Sequence, residues 1–396
     1  MSWPLVNLES VAHINPRLPK GTDESQVVTF LKMASVSEGG ELLEQEKRIL
    51  SETKKGFTYF EKDDVLLAKI TPCFENGKAA LLDDLETQLG FGSTEFHVLR
   101  AVEGKLDSKY LFHLVWNEEF RFLGKHAMKG AAGQQRISTD FLKNLQIPLP
   151  PLETQKQIAA VLEKADQLRK DCQQMEQELN SLAQSVFIDM FGDPVTNPKG
   201  WDVGIIGEML SSANYGTSEK SSTEKKKFPV LRMNNITYEG NWDFSALKYM
   251  DMSKEDENKY LVKSGDILFN RTNSKELVGK TAVYREATSM AYAGYLVRAR
   301  CNELAHPDYI SSFMNSKYGK KTLQSMCKSI VGMANINAKE FQKIKIAKPP
   351  VELQEKFAIR VAAIRTKVAD VKQQEAEYNL LFNALMQKAF KGELNL

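Results

Sequence analysis

Residues 28–36 read VTFLKMASV, and residues 228–236 read FPVLRMNNI. The shared Leu-basic-Met phrase is too short to exclude coincidence, so the flanking sequence decides. Trp3-Pro4-Leu5-Val6 corresponds to Trp201-Asp202-Val203. Asp64-Val65-Leu66-Leu67 and Gly77-Lys78-Ala79-Ala80 return as Asp266-Ile267-Leu268-Phe269 and Gly279-Lys280-Thr281-Ala282. Asp107 with Tyr110-Leu111 resembles Asp308-Tyr309-Ile310. Gly133, Ile137, Ile147, Pro150-Pro151, Glu153 and Gln155 align without gaps to Gly332, Ile336, Ile346, Pro349-Pro350, Glu352 and Gln354. So many matches in the same order make the chain one unit used twice. The period far exceeds the roughly 20–50 residues of a solenoid unit, so the copies are domains, each with its own core.

The 396 residues are 42% hydrophobic and 26% charged, with a net charge of +2. No apolar run approaches the roughly 20 residues of a membrane span, and MSWPLVNLES has neither the basic nor the apolar region of a secretory signal. The expectation is a soluble cytoplasmic protein with no membrane partner. Cys73, Cys172, Cys301 and Cys327 are scattered, with no CxxC pair and no histidine at ligand spacing, and read as reduced packing residues. So small a net charge does not by itself argue for nucleic acid; that case needs local clusters.

Short apolar stretches such as Val65–Ala68, Glu95–Leu99, Asp266–Phe269 and Tyr295–Val297 read as strands, and Tyr110–Phe122 and Asp308–Lys321 as helices. The class is α+β, with each globular domain followed by a long helix. The proline pairs mark where each domain stops and its helix starts. The expected division is 1–150 and 201–348 for the globular domains, 151–191 for the first spacer helix, 192–200 for a linker, and 349–396 for the second helix and tail.

From Ile158 the apolar positions run Val161, Ala165, Leu168, Cys172, Met175, Leu179, Leu182 and Val186, in alternating steps of three and four. In the second copy Phe357, Val361, Ile364, Val368, Val371, Tyr378, Phe382 and Leu385 keep this rhythm, broken at Glu375. These are heptad seams. A 38-residue helix spans on the order of 57 Å, more than one small domain needs for its core. An antiparallel coiled coil within the chain buries both seams without a partner. A register centred on Cys172 and Val371 brings Glu375 near Arg169.

Function must lie in the loops. The repeated phrase presents Lys32 and Ser35 in one copy and Arg232, Asn234 and Asn235 in the other. Arginine, lysine and asparagine match guanine and adenine edges in the major groove. A second surface combines Lys69 and Thr71 with Gln134, Gln135 and Arg136 of the loop 130–138. Its counterpart combines Asn270, Arg271, Thr272 and Asn273 with Asn335 of the loop 331–337. Lys225, Lys226 and Lys227 add candidate phosphate contacts. Taken singly, a lysine run is usually a solvated loop, and Asn-Asn after a strand is ordinary turn chemistry. A framework that repeats while its polar tips differ suits one scaffold carrying two reading heads.

The chain resembles the specificity subunits of type I restriction-modification systems over essentially its whole length. The marks are the two-copy plan, IPLPPLETQKQIAAVLEKADQL at 147–168, FGDPVTNPKGW at 191–201 and ALMQKAFKGEL at 384–394. The resemblance implies two target recognition domains, each reading half of a split double-stranded DNA target, and paired helices that hold them apart and dock two modification (methyltransferase) subunits. It also implies adenine methylation by those partners with S-adenosylmethionine, and restriction subunits that use ATP and Mg to translocate and cut. The chain itself is expected to carry no cofactor, metal or catalytic residue, and its divergent loops imply an asymmetric target.

The residues of the chain agree with a non-catalytic role. Both proline pairs sit in LPPLE and KPPVE rather than in an Asn/Asp-Pro-Pro-aromatic motif, and no GxxxxGK[ST] loop is present. The histidines at 13, 97, 113, 126 and 306 form no cluster, and Asp63-Asp64 and Asp83-Asp84 read as turn residues rather than nuclease ligands. The alternative is a coiled-coil adaptor whose globular domains bind proteins; it predicts partner binding insensitive to DNA and salt.

Overall fold

The computed structural model describes residues 3–131, 133–327 and 334–394. Contacts divide the chain into one unit of Met1–Asp171 with Gln374–Leu396 and another of Cys172–Gln373. In the first unit, Val65–Ala68 is buried at every position and lies between Phe96–Ala101 and Ala79–Leu81, with Ala12–Ile14 at the outer edge. That position inside a sheet explains why it reads as an unbroken apolar run. A second sheet is ordered Glu46–Ile49, Val27–Leu31, Leu89–Gly92 and Thr58–Glu61, and Val27–Leu31 runs parallel to Leu89–Gly92. Leu5–Asn7 pairs with Gln146–Pro148, tying the start of the domain to the segment before the long helix.

The second unit repeats this plan. Ile267–Asn270 lies between Leu296–Cys301 and Thr281–Val283, with Leu210–Tyr215 at the edge, and Val203–Ile205 pairs with Lys345–Ala347. Its other sheet has three strands, Lys248–Met250, Phe228–Leu231 and Ala291–Tyr292. One ion pair is conserved in detail between the copies. Arg100 reaches Asp64 through Nε at 2.7 Å and Nη2 at 2.8 Å, and Arg300 reaches Asp266 at 2.7 and 3.1 Å. Asp64 also accepts the Glu61 amide, as Asp266 accepts that of Lys263. Their oxygens are therefore engaged in holding strand starts.

The helices expected over Tyr110–Phe122 and Asp308–Lys321 are each two helices: Ser108–Trp116 and Glu118–Ala127, Pro307–Asn315 and Lys317–Met326. The breaks fall at Asn117 and Ser316. Asn117 Oδ1 accepts the Phe120 amide at 2.8 Å and Ser316 Oγ that of Gly319 at 3.1 Å, so each residue ends one helix and caps the next.

The long helices run Leu152–Phe191 and Val351–Lys391. In the first unit, Ile158, Leu162 and Ala165 share a core with Phe382, Met386 and Ala389. In the second, Phe187 and Phe191 share one with Phe357 and Val361. Of the expected seam, Ile158, Val361, Val368 and Val371 are buried, and Val161, Leu168, Leu179, Ile364, Tyr378 and Leu385 half-buried. Met175 and Leu182 remain 49% and 47% exposed and leave the buried stripe, whereas Leu162 and Phe187, outside the strict series, enter it. A straight α-helix drifts ~20° per heptad, so a stripe packed on a domain slides off a three-four pattern. Within the second unit, Glu176 meets Lys372 at 3.0 Å and Phe191 meets Phe357 at 5.2 Å between ring centroids. These contacts are displaced by five residues, about 1.4 helical turns, from a register centred on Cys172 and Val371. Arg169 bonds Asp166 at 2.6 Å and lies 4.2 Å above the Phe382 ring.

Candidate nucleic-acid interface

At the end of Val65–Ala68 the chain turns outward, and three backbone segments are stitched together. The Lys69 amide donates to Glu95 O at 2.9 Å, Ile137 N–H donates to Lys69 O at 2.9 Å, and Thr71 N–H donates to Gln135 O at 3.0 Å. Thr71 Oγ1 accepts the Gln135 amide at 3.2 Å, and the Thr71-Pro72 peptide is cis. Lys69, Thr71, Glu95, Gln134, Gln135 and Arg136 thus form one polar corner. Arg136 donates from Nε to Glu95 Oε2 and from Nη2 to Glu95 Oε1, both at 2.9 Å, and from Nη1 to Gln134 O at 3.1 Å. The guanidinium holds the Glu95 carboxyl below the usual carboxylate range. Beneath the corner, His97 bonds Ile137 O at 3.0 Å and Asn15 at 3.1 Å, and burial lowers its imidazole pKa.

The second copy builds the same corner from different side chains. Arg271 N–H donates to Tyr295 O at 3.1 Å, and Ile336 N–H donates to Arg271 O at 2.9 Å. Arg271 therefore stands where Lys69 does, Tyr295 where Glu95 does and Asn335 where Arg136 does. Thr272–Asn273 pairs with Ala334–Asn335, fastening the closing segment. Arg271 donates from Nε to Gly294 O at 3.0 Å and from Nη1 to Asn335 Oδ1 at 3.5 Å, with its guanidinium carbon 5.0 Å from the Tyr215 ring centroid. Thr272 Oγ1 also donates to Asn335 Oδ1, at 3.4 Å. Residues 328–333, which include part of the expected loop 331–337, lie outside the described residues, as does Ala132 of loop 130–138.

Other expected contacts have structural duties. Asn270 is fully buried; its Nδ2 donates to Leu277 O and its Oδ1 accepts the Thr272 amide, so it shapes the corner from inside and presents no reading edge. Asn273 half-faces solvent, and its Oδ1 accepts the Ser274 amide. Two residues of the repeated phrase are corrected likewise. Ser35 and Asn235 are buried, and their side-chain oxygens accept the Lys32 and Arg232 amides at 3.2 and 2.9 Å, closing a 3₁₀ turn. Asn235 Nδ2 also donates to Asp243 O, and Arg232 folds back to give Nη2 to Ala246 O at 2.8 Å. Lys32 pairs with Glu46 yet is exposed, as is Asn234. In the basic run, Lys227 pairs with Glu257 at 2.6 Å, and Lys225 and Lys226 are exposed.

The sequence reading missed Glu95, Tyr215 and Tyr295. Glu95 and Tyr295 precede equivalent strands, so alignment of the copies past those strand starts was the available signal; Tyr215 had none. Among the described residues, no group of three or more His, Cys, Asp or Glu is arranged to hold a metal, and no helix is long and apolar enough to cross a membrane.

Comparison with known proteins agrees with this duplicated plan. A family model described as the type I restriction modification DNA specificity domain matches residues 2–181 and again 198–378. The Escherichia coli EcoEI specificity subunit is 36% identical over 179 residues, covering 44% of this chain and 29% of that protein. The Escherichia coli K12 EcoKI specificity subunit is 26% identical over 269 residues, covering 63% of this chain and 58% of that protein. The matches thus span less than two thirds of these relatives' own length. A chain from a solved structure of type I restriction-modification complex assembly superimposes with a TM-score of 0.59 at 21% identity, covering 99% of this chain and 98% of that one. The S subunit from M. genitalium gives 0.58 at 14% identity, covering 98% and 96%. With the family's domain matched in both halves, the chain belongs to the type I restriction-modification DNA specificity family.

Proposed function

We propose that the chain is the DNA sequence-specificity subunit of a type I restriction-modification complex and reads an asymmetric, two-part double-stranded target without catalysing a reaction. Residues 1–150 and 201–348 act as target recognition domains. The helices within 151–191 and 349–396 pair as an antiparallel coiled coil and dock two modification subunits. S-adenosylmethionine belongs to those partners, and ATP and Mg to restriction subunits that join them. The observation that carries this reading is the corner built twice on one backbone pattern with different side chains, Lys69, Glu95 and Arg136 against Arg271, Tyr295 and Asn335. Base edges are read by side chains, while backbone and phosphate contacts set position, so a fixed frame with exchanged tips is what two different half-sites require.

The test is co-expression with the cognate modification subunit, followed by mapping of modified adenines across a genome. A gapped motif with two unlike halves is expected. Partner binding that ignores DNA and salt, with no such motif, rejects the proposal in favour of a protein-binding adaptor.

A further inference from the structure

We infer that Arg136 reads a guanine in the half-site of the first domain and that Glu95 is the positioning residue that aims it. This inference rests on the proposed function and names the base and the device. A guanidinium carries five N–H donors in a fixed plane, one on Nε and two on each terminal nitrogen. Three are engaged: Nε and Nη2 grip the two oxygens of Glu95, and Nη1 holds Gln134 O. One N–H remains on each of Nη1 and Nη2, the spacing that matches guanine O6 and N7 in the major groove.

Three features favour base reading over phosphate contact. The grip is on the long edge of the guanidinium, so the plane and direction of the remaining pair are set before binding and little side-chain freedom is lost. The pair sits on backbone fastened at two places, with Arg136 exchanging bonds with Lys129 and Ile137 bonded to Lys69. The Glu95 carboxylate would also repel a phosphate placed on this corner, and it favours a ligand with acceptors but no net charge. In the second domain, Tyr295 replaces Glu95, and Asn335 replaces Arg136 with its Oδ1 already accepting from Thr272 and Arg271. That corner has no arginine held by a carboxylate at the equivalent place, so the inference concerns one half-site only.

The experiment is motif mapping with the assembled modification complex carrying Arg136→Ala, Arg136→Lys or Glu95→Gln. With Arg136→Ala, one guanine position of the first half-site should lose roughly ten- to a hundredfold of its preference, with the second half-site unchanged. Arg136→Lys keeps the charge without the fork and should relax the same position while modification persists. Glu95→Gln should relax that position too, and add nothing when combined with Arg136→Ala. If the wild-type motif is gapped but Arg136→Ala leaves every guanine preference of the first half-site intact, the inference fails and the proposed function stands. Uniform weakening at every position, with a shallower salt dependence, assigns Arg136 to a phosphate and likewise overturns it. Absence of a gapped motif in the wild type overturns both.

Discussion

Gln155 accepts the amide of Asp107 on its Oε1 at 2.9 Å, joining the fourth residue of a long helix to the helix start of the domain before it. Its Nε2 donates to Lys105 O and Pro150 O. Gln354 repeats every bond, to His306 N–H, Leu304 O and Pro349 O. Both side chains are buried, so each long helix leaves its domain at an angle set by backbone rather than by a flexible linker.

Replacing either glutamine by alanine strands an amide and two carbonyls in a dry site. We expect Gln155→Ala and Gln354→Ala each to cost on the order of 3 kcal/mol, measured by urea denaturation. A loss below half of that at both positions would show that water replaces the side chain.

Arg271 and Asn270 are neighbours in sequence with opposite expected phenotypes. Arg271→Ala should relax base preference in the second half-site, leave the first intact and lower melting temperature little. Asn270→Ala should lower melting temperature without changing which bases are read, because Asn270 is inside the fold. Motif mapping and thermal denaturation of the same two variants separate the roles.

His113 makes the first unit sensitive to acid. It is enclosed by Phe112 and Trp116, neither ring nitrogen has a hydrogen-bond partner, and burial pushes its pKa down from 6.5 to about 4. The unfolded chain therefore binds this proton more readily than the folded one. Stability is in place above pH ~6.5 and falls as the pH drops toward 4, by roughly 3 kcal/mol once the lower value is reached. His113→Phe should flatten the melting curve between pH 7 and pH 5, and an unaltered slope would assign the acid response elsewhere. Ser312 occupies the equivalent place in the second copy, one position before Phe313, so that copy has no corresponding loss.

Much of the fold was legible because duplication supplied its own alignment. The buried strands Val65–Ala68 and Ile267–Asn270 and the proline-bounded helix starts could be read from pairs of segments. The repeated phrase misled where a polar side chain and a capping side chain look alike in sequence. Ser35 and Asn235 differ in chemistry but both offer one oxygen to the amide three residues earlier, and only their burial reveals that duty. Met175 and Leu182 fit the heptad count, yet the count cannot register which face a domain covers. The Glu95–Arg136 pair joins residues 41 apart in sequence, and no local pattern records a bond at that separation.

Phe382 offers the last test, because it lies far along the chain from the domain it completes. Its ring packs edge-on to Trp116 at 5.8 Å and lies beneath Arg169, in a core that includes Ile158, Leu162 and Ala165. Phe382→Ala removes the ring from that core and should cost about 3–4 kcal/mol. If the tail segment is part of the first unit, amide hydrogen exchange should accelerate in Ser108–Trp116 and around Ile158–Ala165. Exchange around Phe187 and Phe191, which pack on Phe357, and around Tyr309, which packs on both, should stay at its wild-type rate. Equal acceleration in both sets would mean that the two units unfold as one cooperative body, and protection lost only near residue 382 would mean that the tail contributes little to the first core.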